Sequence, residues 1–280
     1  MIVKTIEIET SFGGVISEAP YENIKPGYRD RIVIDLTDKD NENEIRTMYR
    51  NMLQEEQIKS FQLLKNRMKA ELIESQFSKI RFREKDGIKY PSVTSIIGWS
   101  KDFFISDIDL KQYGARGTIV HYMVQKFAET GTWLTLKEVA ESGLREEAAI
   151  MFRGGLKLKI EDCSHETFFE QFGKDFEFEH FEVSVFNEKY LYCGRLDAIG
   201  KYKGVRSIID FKTGKAFDMK QLAAYSMGDS IEGIEQLVIC PIGPTDNKSG
   251  VMKPVTTLNI SGAFDEFLKD RSEFRKQFGI

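Results

Sequence analysis

Residues 194–225 read GRLDAIGKYKGVRSIIDFKTGKAFDMKQLAAY, and this stretch decides the fold. Two apolar runs, through Leu196–Ile199 and Val205–Phe211, flank the turn at Tyr202-Lys203-Gly204. Both therefore read as strands of a hairpin. Charges stand where strands usually carry packing residues: Asp197 on the first run, Asp210 and Lys212 at the end of the second. Strand side chains alternate, so Asp210 and Lys212 share one face and Phe211 takes the other. From Asp218 the period lengthens to that of a helix, which puts Gln221 and Tyr225 on one helical face.

Working outward, "FEVSVF" from Phe181 completes an antiparallel three-stranded meander with these two strands. The strand "EQLVICPI", a turn-rich loop, the strand "VTTLNI" and a final helix capped by Ser261 follow. Upstream, Asp86-Gly87 marks a hairpin, and Ser92 or Thr94 caps a short helix. A helix beginning near Gly117-Thr118 runs to Gly131, and residues 134–175 are helical but less regular. The first forty residues hold two strands around a Gly/Pro loop. Asn41 to about Ser78 is helical, as one element or two, with Ile45, Met48, Met52, Phe61, Leu64, Met68 and Leu72 at three- and four-residue steps. The order predicts an α/β (α+β) chain. A mixed central sheet with an antiparallel meander is flanked by helices over 86–280, and a strand/long-helix accessory region spans 1–85.

The chain has 280 residues, 41% hydrophobic and 30% charged, enough for a substantial core. It has no apolar run long enough for a membrane helix and no leader pattern at its start, so a cytoplasmic protein without a membrane partner is expected. Cys163, Cys193 and Cys240 form no CxxC pair and read as reduced structural thiols. Net charge is −4, unevenly spread. Residues 1–56 carry 7 basic against 12 acidic side chains, and residues 57–90 carry 9 against 4. A solvated helix face or a phosphate-contacting surface would both explain the basic segment.

Asp197 lies thirteen positions before Asp210, so the hairpin can set the two carboxylates side by side. Held together they repel, unless a divalent cation sits between them. Oxygen ligands of this kind suit Mg²⁺ or Mn²⁺. Lys212 could then orient or deprotonate a water for attack on a phosphate, the parts list of phosphodiester hydrolysis. On spacing alone, Asp-x-Lys also fits a solvated strand end.

The run GRLD…IIDFKTGK…QLAAY resembles the motifs of the PD-(D/E)XK nuclease superfamily, RecB-type branch: Gly-x-x-Asp, Asp/Glu-x-Lys and Gln-x-x-x-Tyr. Gly194, Asp197, Asp210, Lys212, Gln221 and Tyr225 match them. Gly117, Thr118 and His121 match the helix motif Gly-Thr-x-x-His of that branch, and "YPSVTSII" resembles the core entry of mitochondrial genome maintenance exonucleases and related phage nucleases. The resemblance covers residues 88–280 and implies a restriction-endonuclease-like core. It implies that His121, Asp197, Asp210 and the Phe211 carbonyl hold Mg²⁺ or Mn²⁺, and that Lys212 activates water. Gln221 and Tyr225 would steady Lys212 or the DNA backbone, and Glu182 would stand near the metal. Gln125 occupies a position where many relatives carry an acid, and a neutral amide coordinates a hard cation more weakly. Three scattered cysteines do not fit an iron–sulfur cluster, and the phosphate-loop motif of nucleotide-driven motors is absent, so neither cofactor is expected.

The resemblance implies a DNA exonuclease of phage or recombination and repair processing, acting on linear, often single-stranded, ends in a prokaryotic or phage-infected cell. A structure-selective endonuclease of the same fold, or a non-catalytic DNA-binding scaffold, are the rival readings. Lys79, Arg81 and Arg83 from the basic segment, with Arg116, Thr118 and Arg195 beside the motifs, are candidate DNA contacts. Residues 1–85 would clamp the strand, bind a protein partner or self-associate.

Overall fold

The structure, a computed structural model, describes residues 4–13, 16–19, 22–24, 27–36, 41–100, 107–152, 159–214, 217–244 and 251–280. The chain divides into two compact units, Met1–Lys79 and Ile80–Ile280.

In the first unit, β1 (Lys4–Gly13) pairs antiparallel with β4 (Gly27–Leu36), from Lys4↔Leu36 to Gly13↔Gly27. The segment expected as a loop between them contains a second antiparallel pair, β2 (Ile16–Ala19) and β3 (Glu22–Ile24). These strands are too short to show periodicity. The helical stretch is one helix, α1 (Glu42–Ser78), capped by the Asn41 side chain, which accepts from the Asn43 and Glu44 amides. Nothing breaks it, because the span holds neither Gly nor Pro. It packs on β1 and β4. Leu53 and Gln57 are buried, while Met48 and Met52 face outward, against the expectation from their spacing.

The second unit begins with the expected hairpin, β5 (Phe82–Lys85) and β6 (Ile88–Pro91). Asp86 and Gly87 both take positive φ, 53° and 77°, as a two-residue turn that follows strand twist requires. Ser92 caps α2 (Val93–Gly98) by accepting the Ser95 N–H. Helix α3 (Asp107–Thr130) starts ten residues earlier than expected, so Gly117 lies inside it. Helices α4 (Leu136–Glu141), α5 (Arg145–Phe152) and α6 (His165–Phe172) follow. The meander is β7 (Phe176–Asn187), β8 (Tyr192–Tyr202) and β9 (Val205–Lys212), with β7 starting five residues before the expected Phe181. Helix α7 (Met219–Ser226) leads to β10 (Gln236–Pro241), then β11 (Val255–Thr257) and α8 (Ile260–Phe278). Asn259, not Ser261, caps α8 by accepting the Gly262 N–H.

The five strands form a mixed sheet in the order β11-β10-β9-β8-β7. Only β9 and β10 are parallel, which requires the α7 crossover between them. One face is covered by α3, α4 and α6, with Ile119, Val124, Phe168 and Phe169 against Ile209, Phe211 and Val238. The other is covered by α2, α7 and α8, with Ile96, Leu222, Phe267 and Phe274 against Ile208 and Ile239. The architecture is α+β. All three cysteines are free and buried. Among the described residues, no helix is long and apolar enough to cross a membrane.

Candidate functional site

The site lies where the meander stops behaving as a regular ladder. Pairing of β8 with β9 runs from Tyr202↔Val205 to Ala198↔Ile209 and ends there. One residue further, the Asp197 carboxylate takes the place of a backbone acceptor: its Oδ2 accepts the Phe211 N–H at 2.8 Å. On β7, Glu182 sits opposite Asp197 in register and has φ 55°, a left-handed conformation unusual for a residue with a Cβ. It reverses the facing of the strand. Phe181 packs with the α3/α6 core, whereas Val183, two residues on, packs with the α7/α8 core. Leu196 and Ala198, flanking Asp197, divide between the two cores in the same way.

This arrangement places two groups of side chains. In the first, His121 of α3, Glu182 of β7 and Asp197 of β8 each offer a ligand atom, all within 4.8 Å of one another. His121 Nδ1 lies 3.5 Å from Asp197 Oδ1. Burial opposes a charge on His121, but Asp197, Asp210 and the backbone of Phe211 outweigh it and raise the imidazole pKa. Burial works against the charge on Asp197 too, but His121, the Phe211 amide and Lys212 bring it below the ordinary carboxylate value. Glu182 moves the other way: burial and the Asp197 charge raise it, against the opposing pull of Arg195, whose Nε lies 2.7 Å from Glu182 Oε2.

The second group is a chain of polar contacts. Asp210 is almost fully buried. The Lys212 ammonium lies 2.9 Å from its Oδ2, but only the contact with Oδ1, at 3.1 Å, has hydrogen-bond geometry. Oδ2 is thus a buried oxygen with no hydrogen-bond donor. Burial and the nearby Asp197 charge raise the Asp210 carboxyl to about 6 despite Lys212 and His121. The ammonium also donates to Gln221 Oε1 at 3.1 Å, and Gln221 Nε2 donates to the Tyr225 hydroxyl at 3.0 Å. Burial lowers the Lys212 pKa, but Asp210 and Asp197 raise it more, so the amine stays cationic. Gly194 explains itself here: a Cβ at that position would come within 2.3 Å of the edge of the Tyr225 ring.

Both groups border one cleft of about 520 Å³. His121, Glu182, Asp197, Phe211 and Lys212 line it, as do Thr118 and Arg195. The remaining DNA-contact candidates do not. Arg116 is 1% exposed, and its Nη2 donates to the Thr213 carbonyl at 2.8 Å. Gly117 reads as a helix start, which would leave Arg116 on a loop; inside α3 it turns inward instead. Arg83 reaches back from β5 to Ser184 Oγ at 3.2 Å and the Gly194 carbonyl at 3.5 Å. Arg81 is exposed at the start of the hairpin, and Lys79 closes α1 in the other unit. Tyr113, Tyr122 and Thr213 line the cleft without a signal in the sequence to mark them. Tyr122 follows His121 directly, and only the three-dimensional arrangement of α3 picks it out.

The donor set of the first group, one imidazole and two carboxylates, fits a small divalent cation, and the imidazole suits Mn²⁺ better than Mg²⁺. The sequence placed Asp210 with Asp197 as ligands. Among the described residues, the close triangle consists of His121, Glu182 and Asp197, and Asp210 pairs with Lys212. No known family matches the chain, and neither does any curated protein with which it was compared.

Proposed function

We propose that this protein is a divalent-metal-dependent nuclease that hydrolyses DNA phosphodiester bonds, with exonuclease action on linear ends favoured. One observation carries the reading. A lysine held cationic beside a buried carboxylate stands at the mouth of a cleft whose wall offers an imidazole and two carboxylates within ligand distance of each other. A structural ion pair at a strand end has no need of the second group. The order meander, α7, parallel β10 would suit the restriction-endonuclease-like core that the motifs imply, and it supports the same reading.

His121, Glu182 and Asp197 would hold Mn²⁺ or Mg²⁺, with Asp210 holding the Lys212 ammonium beside them. When bound, the cation supplies Lewis-acid polarisation of the phosphate and eases ionisation of a nearby water. The remaining work belongs to the chain. Lys212 orients the attacking water and stabilises charge developing on the phosphate oxygens. Gln221 and Tyr225 hold its ammonium in place, and the cleft receives the strand. The protein would act in the cytoplasm of a prokaryotic or phage-infected cell, with the first unit as an accessory that clamps the strand, binds a partner or self-associates.

The test uses labelled linear single-stranded, linear duplex and closed circular DNA with Mn²⁺ or Mg²⁺. Loss of linear but not circular DNA supports the exonuclease. Cutting of circles converts the reading to an endonuclease, and binding without cutting converts it to a scaffold. Lys212→Ala is expected to retain DNA binding and lose hydrolysis by roughly a hundredfold or more; wild-type activity in that variant would remove Lys212 from its role.

A further inference from the structure

Two permanent cations, Arg195 and Lys212, line the cleft among the described residues, and Lys212 is already committed to Asp210 and Gln221. Arg195 is committed differently. Its partner is Glu182, 2.7 Å away, and Glu182 is also one of the three groups whose ligand atoms cluster within 4.8 Å. One carboxylate therefore has two suitors, a guanidinium and the cation its neighbours are built to hold. Both contacts are made by the Glu182 side chain, from a backbone in the left-handed conformation. The Arg195 side chain is 56% exposed and stands on the cleft wall.

We propose that Arg195 is the substrate-positioning residue of this cleft and that the Glu182–Arg195 pair is its latch. While Glu182 pairs with Arg195, the cleft presents little free positive charge. When Glu182 turns toward a divalent cation, Arg195 loses its carboxylate and is left facing the cleft, where its fork of N–H donors matches a backbone phosphate. Metal loading and strand binding are then positively coupled, and by linkage the coupling is reciprocal. The proposal rests on the nuclease reading for the identity of the phosphate, though not for the latch itself.

The experiment uses the full chain carrying Lys212→Ala, so that the strand survives, with Arg195 intact, Arg195→Met or Arg195→Lys. Calorimetry measures Mn²⁺ affinity without DNA, and fluorescence anisotropy measures binding of a short labelled single-stranded oligonucleotide with and without Mn²⁺. Arg195→Met is expected to bind Mn²⁺ roughly two- to fivefold more tightly, the worth of a partly exposed ion pair. Its oligonucleotide affinity should fall roughly tenfold or more with Mn²⁺ present and change little without it; Arg195→Lys should restore part of the loss. Unchanged Mn²⁺ affinity in Arg195→Met overturns the latch. An equal loss of strand binding with and without Mn²⁺ reduces Arg195 to a constant surface charge and also overturns it. If no variant binds the strand while Mn²⁺ affinity shifts as expected, the positioning role falls together with the nuclease reading.

Discussion

At Gly194 a single hydrogen atom separates a working contact from a collision. The Tyr225 ring is buried directly over that Cα, and its hydroxyl is the far end of the chain that runs through Gln221 to the Lys212 ammonium. Gly194→Ala is expected to displace the ring, cost roughly 1–3 kcal/mol in denaturant unfolding as an overpacked site does, and, on the proposed nuclease reading, reduce hydrolysis by loosening Lys212. Gly117→Ala should behave oppositely. Its Cβ would meet only Thr213 Oγ1, at an ordinary 3.6 Å, inside a helix that gains up to about 1 kcal/mol from the exchange. His165 offers a residue-scale test by pH. It is buried, its Nδ1 has no partner, and burial lowers its pKa from 6.5 to about 4. Between those values the unfolded chain takes up a proton that the folded chain refuses. Its contribution is therefore complete above about pH 6.5 and is lost as the pH falls toward 4. His165→Phe, which keeps a ring against Trp133, should spare the protein about 2 kcal/mol of the stability lost between pH 7 and pH 5, as read from urea melts at the two values.

Among the elements, β7 carries the feature that shapes the site, since the reversal at Glu182 divides its apolar residues between two cores. A left-handed non-glycine residue costs about 1–2 kcal/mol in backbone terms. Glu182→Gly should therefore be more stable than Glu182→Ala by roughly 1 kcal/mol, while both lose Mn²⁺ affinity; equal melting of the two would mean that the backbone there is relaxed. The elements also divide by how well the chain announces them. The meander, α7 and β10 were legible because their periods are clean, with Gly204 marking the β8–β9 turn and Asp218 the start of α7, and the Asp86-Gly87 pair made the β5–β6 hairpin legible too. The start of α3 was not, because Gly117 reads as a helix start, whereas the helix runs through it and buries Arg116 against the Thr213 carbonyl just beyond β9. Asp197, Asp210, Lys212, Gln221 and Tyr225 were legible from spacing and resemblance. Glu182 was legible only through the resemblance, as a residue near the metal; the left-handed backbone there was not, since no side-chain pattern encodes it. Nor was the burial of Arg116, whose exposure depends on what α3 packs against.

For the molecule as a whole, the hydrophobic clusters on the two faces of the five-stranded sheet draw their members, among the described residues, from residues 80–280. Each of the site residues His121, Glu182, Asp197, Asp210, Lys212, Gln221 and Tyr225 lies in that span as well. Sheet, core and site thus form one cooperative entity, while β1–β4 and α1 have their own strand pairing and their own packing. A fragment of residues 80–280 is expected to fold alone and unfold in a single transition, because a domain of this size buries enough apolar surface to offset its chain entropy. It should retain Mn²⁺ binding with the affinity of the full chain, since none of the ligand atoms is removed. What it should lose is strand affinity, and only if the acidic and basic stretches of residues 1–79 take part in holding DNA. In that case every phosphate that the first unit neutralises adds about one to the salt slope of the full chain over that of the fragment. Equal oligonucleotide affinity of fragment and full chain across a salt series would assign the first unit to a protein partner or to self-association. Failure of the fragment to fold would instead mean that the two units share a folding reaction.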